Sequence, residues 1–179
     1  MEERQAKSHR VALLPGDGIG PEVMRAAATI FKVAAAKYGL DIEIAEGLIG
    51  QAALKETRTV LPMETIRLCR DSRAVLMGPV GGEPDAHPSI TSSPRYASHE
   101  LLAWLGVHTN LRPVRIFPGL IKRSPVKPEV ITDVDIMIIR DAAAGLYYGQ
   151  PRGISTEDGI LQAVNTLSYT ESQVERVAR

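Results

Sequence analysis

One cysteine, one tryptophan and two phenylalanines stand in a chain of 179 residues. A lone Cys69 excludes an intrachain disulfide framework, and within a helical pattern it reads as a small buried hydrophobe. Aromatic residues make up 4% of the chain against an apolar fraction of 44%, so the core is expected to consist of Ala, Val, Ile and Leu. No apolar run is long enough to span a bilayer, and the first ten residues, Met1 to Arg10, are charged and polar without an apolar signal core. Excess charge of either sign is missing too. With 21 basic and 21 acidic residues there is no global field to hold nucleic acid or an acidic membrane surface. These absences predict a soluble, cytoplasmic chain that binds neither. Its length admits one domain or two small ones with a real core.

What is present is an alternation of strand and helix patterns, which predicts an α/β fold. Val11 to Leu14 is a short apolar strand. From Pro21, the positions Val23, Ala26, Ala27, Ile30, Val33 and Ala34 follow helical spacing up to Gly39, which sits where a C-terminal cap belongs. Strands are expected at Asp41–Ile44, Ala74–Met77 and Ile131–Arg140, and helices at Pro62–Cys69 and His99–Leu105. The Pro- and Ser-bearing segment Glu83–Ser98 reads as a hinge between lobes 1–98 and 99–179. Near the end, Thr170-Glu-Ser-Gln173 is a capping box that opens another helix, with Val174, Val177 and Ala178 behind it.

The phrase Val11-Ala-Leu-Leu-Pro-Gly-Asp-Gly-Ile-Gly-Pro-Glu-Val23 joins strand to helix through Gly16, Gly18 and Gly20. Such a turn lets backbone approach a ligand, and Pro21 and Glu22 suit a helix start. It is not a Rossmann fingerprint, because Pro21 holds the place of the third glycine in G-x-G-x-x-G. For the same reason Asp41, Glu43 and Glu46 read as a solvated strand face rather than as ribose ligands. His87, His99 and His108 lack zinc-ligand spacing and read as loop or surface histidines.

Three further phrases lie downstream in the same order: Gly78-Pro-Val-Gly-Gly82, Asn110-Leu-Arg-Pro-Val-Arg-Ile-Phe-Pro-Gly119, and Ile139-Arg-Asp-Ala-Ala-Ala-Gly-Leu-Tyr-Tyr-Gly-Gln-Pro-Arg-Gly153. Together the four motifs resemble the isopropylmalate/isocitrate dehydrogenase family, whose members include tartrate dehydrogenases. The resemblance runs from Val11 to the last residue. It implies a two-lobed α/β fold with a mixed sheet, and oxidative decarboxylation of a 2-hydroxy acid, as in leucine biosynthesis, with NAD or NADP and Mg²⁺ or Mn²⁺. Carried onto this sequence, it implies Arg112 and Arg140 as substrate-binding residues, Tyr147 as the active-site tyrosine, and Gly18, Ile19, Val80 and Gly81 on the cofactor side. No metal ligand is carried over. A guanidinium fork suits a carboxylate of such a substrate. The competing readings are a strand-end arginine paired with a structural carboxylate for Arg112 and Arg140, and Tyr148 or plain packing for Tyr147.

The chain also departs from the family pattern. Leu102 and Ala103 stand where an Arg-Lys pair starts the substrate cradle, Arg95 where isopropylmalate dehydrogenases tend to carry an acid, and Asp141-Ala-Ala-Ala144 in place of Glu-Leu-Thr-Gly. The catalytic lysine, the metal-holding aspartates and most adenosine-binding loops belong to a C-terminal half of the family fold that has no counterpart here. The isolated chain is therefore expected to be incomplete and inactive. The alternative is a non-catalytic truncated relative acting as an interaction or small-anion-binding protein. Gly145 to Tyr169 corresponds to an arm that pairs across a two-fold axis in the family. It is read here as a ribbon turning at Gln150–Gly153, with a second extended run at Ile160–Leu167, which implies a homodimer or larger assembly.

Overall fold

A computed structural model describes residues 8–81 and 93–179. The chain divides into two units, the first ending at Gly106 and the second running from Val107 to Arg179. In the first, β1 (His9–Leu14) lies between β2 (Ile42–Glu46) and β3 (Ala74–Met77) in a parallel sheet of order β2-β1-β3. Val11 pairs with Ile44 on one side and with Ala74 on the other. Between these strands come α1 (Gly20–Lys37), α2 (Gln51–Thr57) and α3 (Met63–Arg70), and a 3-10 turn, Pro94–Tyr96, leads into α4 (Ala97–Trp104).

The crossover from β1 to β2 runs opposite to that from β2 to β3, so right-handed connections put α1 and the α2–α3 pair on opposite faces. Alternate residues of β1 divide accordingly. Ala12 and Leu14 join Ile49, Val60, Leu61, Ile66, Cys69, Ala97 and Leu101 in one apolar core, while Leu13 lines a cavity with Met24 and Ala28 of α1. Leu14, Ile49 and Ile66 are fully buried, and each contributes about 1.5–3 kcal/mol through removal from water. The buried hydroxyl of Thr65 donates to the Leu48 carbonyl at 2.7 Å, so the core carries it without an orphaned polar group. Cys69 is buried as its helical context predicts, and burial pushes its thiol pKa up.

Two expectations change here. The unit boundary falls after Gly106 rather than after Ser98, because Ala97 and Leu101 of α4 pack into the first core. On α1, the buried residues are Gly20, Met24 and Ala35, whereas Val23, Ile30 and Val33 are 48%, 70% and 67% exposed. This helix is apolar on two sides, and periodicity alone cannot tell which one meets the sheet. Most of the expected hinge Glu83–Ser98, with His87 and Gly82, lies outside the described residues.

The second unit contains two antiparallel pairs. β4 (Thr109–Arg115) pairs with β5 (Asp135–Asp141), and β6 (Gly153–Glu157) pairs with β7 (Ile160–Val164). A 3-10 turn at Pro118–Arg123 and a single helical turn, α5 (Pro128–Ile131), connect β4 to β5. β5 therefore starts later than the expected Ile131, since Pro128 initiates a turn whose Thr132 hydroxyl donates back to the Pro128 carbonyl at 2.6 Å. The hairpin turn lies at Asp158–Gly159 rather than at Gln150–Gly153. Both residues have positive φ, 52° and 78°, as a two-residue Asp-Gly hairpin loop requires. α6 (Glu171–Ala178) opens with the predicted capping box: Thr170 Oγ1 accepts from Gln173 N–H at 3.3 Å and Gln173 Oε1 from Thr170 N–H at 2.8 Å. Among the described residues no helix is long and apolar enough to cross a membrane.

This distribution of burial predicts that Ile49→Ala lowers the unfolding free energy by about 2–4 kcal/mol. Val130→Ala, at a position 67% exposed, should change it by less than about 0.5 kcal/mol. Denaturant titration of both variants measures the contrast.

Candidate functional site

In a parallel sheet, ligands sit outside the carboxyl ends of the strands where the strand order reverses. Here that point lies between β1 and β3, flanked by the loops Pro15–Ile19 and Gly78–Gly81. The two loops are joined directly. Asp17 N–H donates to the Pro79 carbonyl at 2.8 Å, and the Asp17 carboxylate accepts from Gly81 N–H through Oδ2 at 2.9 Å. The same carboxylate accepts from Gln51 N–H through Oδ2 and from Ala52 N–H through Oδ1, each at 2.9 Å, and so caps α2 from a different loop. The sequence analysis gives Asp17 no role, because its partners lie on other elements of the chain.

The glycines of this turn serve two purposes. A Cβ at Gly20 would lie 2.1 Å from the Pro15 carbonyl oxygen, so this glycine is required by packing. At Gly18, φ is +58° and no heavy atom lies within 4 Å of a Cβ position, so the backbone there borders open space. Ile19 is 68% exposed beside it, and Val80 and Gly81 on the other loop are half-buried, with open space at Gly81 as well. Gly18, Ile19, Val80 and Gly81 thus line one loop pair, an open backbone shelf with an apolar rim. Asp41 and Glu46 are exposed, and Glu43 is paired with Arg10 at 3.2 Å.

In the second unit, register decides which side chains share a face. Asn110 pairs with Arg140 and Arg112 with Ile138, so Arg112 and Arg140 are diagonal neighbours on one face, on the order of 7–8 Å apart. Arg112 Nε donates to Asn110 Oδ1 at 3.1 Å, and the Arg140 guanidinium lies over the Tyr147 ring at 4.9 Å from its centroid. Neither arginine forms an ion pair among the described residues. The strand arginine that does is Arg115, on the opposite face, 3.0 Å from Asp135. Tyr147 and Tyr148 follow a turn held by Gly145 N–H donating to the Ser168 carbonyl at 3.1 Å and by Arg152, which donates to the carbonyls of Gly149 and Leu146. Asp141 closes the end of β5 by accepting from Ala143 N–H at 2.9 Å.

The remaining candidates are dispersed. Arg95 is exposed in its 3-10 turn, and Leu102 is half-buried on α4 with Ala103 exposed. His99 sits on α4, within the helix expected from His99 to Leu105, its ring 6.2 Å from that of Tyr96, and His108 Nδ1 is 2.7 Å from Thr109 Oγ1. Among the described residues no three His, Cys, Asp or Glu side chains come together as a metal-ligand set. These residues by themselves do not fit Mg²⁺ or Mn²⁺.

The turn geometry separates two substitutions. Gly20→Ala should destabilise by about 3 kcal/mol, because its methyl meets a backbone oxygen. Gly18→Ala should cost about 1–2 kcal/mol, from positive φ alone. Chemical denaturation of the pair reads the order directly.

The family model described as isocitrate/isopropylmalate dehydrogenase matches residues 10–179. The 3-isopropylmalate dehydrogenase of Aquifex aeolicus (strain VF5) is 39% identical over 173 residues, covering 97% of this chain and 48% of that protein. The enzyme of the same name from Trichormus variabilis is 43% identical over 174 residues, with the same two shares, 97% and 48%. Isocitrate dehydrogenase from Methylococcus capsulatus matches in structure with a TM-score of 0.73 at 25% identity, over 94% of this chain and 45% of that one. The chain spans about half the length of the curated relatives it matches. A family model matched over nearly the whole sequence, together with the parallel sheet and antiparallel pairs that carry its motifs, means that this chain belongs to the isocitrate/isopropylmalate dehydrogenase family.

Proposed function

We propose that the chain carries the cofactor-side turn and part of the substrate wall of an NAD(P)-dependent oxidative decarboxylase of 2-hydroxy acids, of the 3-isopropylmalate dehydrogenase kind. The observation that supports this most is the diagonal pair Arg112 and Arg140 on one face of β4–β5, unpaired with any carboxylate among the described residues, with Tyr147 against Arg140. Two guanidinium groups on one face suit the carboxylates of a 2-hydroxy dicarboxylic acid, each able to bond both oxygens. A positive charge beside the phenol stabilises negative charge developing on its oxygen, which suits a tyrosine that exchanges a proton with a reacting hydroxyl. NAD or NADP, when bound, supplies the acceptor for the hydride leaving the hydroxyl carbon. Gly18, Ile19, Val80 and Gly81 are the residues that would hold the cofactor on this side.

A second reading, a non-catalytic small-anion-binding relative, is favoured by Leu102 in place of a cradle arginine. A closed site without one of its charge-assisted bidentate hydrogen-bond pairs is weaker by on the order of 2–4 kcal/mol, or about thirty- to a thousandfold in rate. The same proton-linked chemistry also needs charge stabilisation on the substrate oxygen, for which the described residues offer no ligand set. We therefore assign weak dicarboxylate binding to the Arg112–Arg140 face.

Titrating malate into ¹⁵N-labelled protein should shift resonances around Arg112, Arg140 and Tyr147 with a Kd of about 1 mM. Arg140→Ala should weaken this at least about tenfold. Shifts confined to the Gly16–Gly20 turn would overturn the substrate-wall assignment. Metal-dependent reduction of NAD⁺ or NADP⁺ by the pure chain would establish the dehydrogenase reading over the non-catalytic one.

The β6–β7 hairpin supports a homodimeric or larger assembly. All of its residues are exposed, and Ile154 and Leu161 share one face at 74% and 73% exposure. An isolated two-stranded hairpin is marginal in water and gains stability by pairing with another chain. The double variant Ile154→Asp, Leu161→Asp should lower the sedimentation coefficient from that of a dimer to that of a monomer at micromolar concentration. A parent chain already monomeric at high micromolar concentration would show that the hairpin is not an interface.

A further inference from the structure

Among the described residues, Asp17 at the β1–β3 switch point is hydrogen-bonded to two other segments of the chain, the start of α2 and the loop after β3. Its two oxygens accept the N–H groups of Gln51, Ala52 and Gly81, all at 2.9 Å, while its own N–H donates to Pro79 at 2.8 Å. The surroundings are built around that carboxylate. A Cβ at Gly50 would lie 2.2 Å from Asp17 Oδ2, and one at Gly16 would lie 2.2 Å from the Pro79 carbonyl oxygen. A crevice normally separates the two loops at a switch point, but here they are fastened together. A ligand therefore meets the outer backbone of Gly18–Ile19 and Val80–Gly81 instead of entering between the loops.

We propose that Asp17 is a positioning residue for the nicotinamide cofactor, holding the Gly18–Ile19 and Val80–Gly81 backbones in one fixed surface through the three N–H groups its carboxylate accepts. This rests on the cofactor placement given under Proposed function. Asp17 does not touch the cofactor; it acts by removing the freedom of the two loops to separate, so that their ordering is complete before binding. A carboxylate is required because three donors converge on it. An asparagine turns one oxygen into a donor and sets it against an N–H, and an alanine leaves all three donors without this partner.

The test is NMR titration of the full 179-residue chain with NAD⁺. In the parent, NAD⁺ should shift Gly18, Ile19, Val80 and Gly81, and also the Gln51 and Ala52 amides, which are hydrogen-bonded to the Asp17 carboxylate. Amide exchange at Gly81 should be about tenfold faster in Asp17→Asn and faster again in Asp17→Ala, with NAD⁺ affinity falling about tenfold and then further. The amides of the buried β1 residues Ala12 and Leu14 should keep their parent positions and protection in both variants, which unfolding of the first unit would not allow. A variant that binds NAD⁺ as tightly as the parent overturns the inference. If neither variant folds, the parent decides: NAD⁺ shifts at Gly18 and Gly81 that leave Gln51 and Ala52 unmoved overturn it as well. A parent whose shelf does not respond to NAD⁺ at all overturns the cofactor placement itself, and the inference falls with it.

Discussion

The carboxylate of Asp17 fastens the β1–α1 turn to the N-terminus of α2 and to the loop after β3, and the first unit is arranged around that convergence. Three parallel strands supply no direct link between their carboxyl-end loops, because each loop departs toward its own helix. The Asp17 carboxylate, together with the Asp17 N–H bonded to the Pro79 carbonyl, closes that gap. Its condition is that the backbones come within hydrogen-bonding distance, and that condition sets the residues around it: Gly16, Gly20, Gly50 and Gly78 each leave no room for a Cβ. The glycine-rich sequence at this turn is in large part the consequence of one anion held among backbone donors. Among the described glycines of these two loops, Gly18 and Gly81 border open space.

The second unit is held differently. Its order comes from backbone ladders, β4 with β5 and β6 with β7, and from carbonyl contacts such as those of Arg152. Charged pairs add little. Arg115 and Asp135 are side chains 70% and 64% exposed, so their attraction is screened and worth a fraction of a kilocalorie. Arg112 and Arg140 differ from Arg115 in lacking such a partner among the described residues. Their face of the ladder keeps its positive charge, the property an anionic ligand reads.

Legibility in the sequence followed the range of the interactions. β1, β3, α3 and the capping box of α6 are set by local runs and neighbouring residues, and they lie within a residue or two of where patterning puts them. The buried face of α1 was not legible, because Val23, Ile30 and Val33 have the same helical spacing as the residues that do pack, and only the sheet decides between them. The Asp158–Gly159 turn was written in the sequence as an Asp-Gly pair, yet Gln150 to Gly153 carries its own proline and glycine and competes for the same role. At the candidate site, residue types and motif order point to Arg112, Arg140 and Tyr147. The shared face of the two arginines needs the β4–β5 register, which joins residues far apart in the chain. Asp17 was illegible for the same reason, since its partners at Gln51, Ala52 and Gly81 come from other elements.

The buried hydrophobic residues are distributed very unevenly. Among the described residues they lie in the first unit, with only Ile131 and Ala144 in the second. Heat capacity rises on unfolding chiefly because apolar surface meets water, whereas exposed peptide groups lower it. The curvature of stability with temperature therefore belongs almost entirely to the first unit, whose core weakens in the cold as well as in the heat. The second unit, built on hydrogen-bonded ladders with few buried apolar residues, contributes less to that curvature. Cooling and warming the same chain thus act on its two halves by different thermodynamic routes.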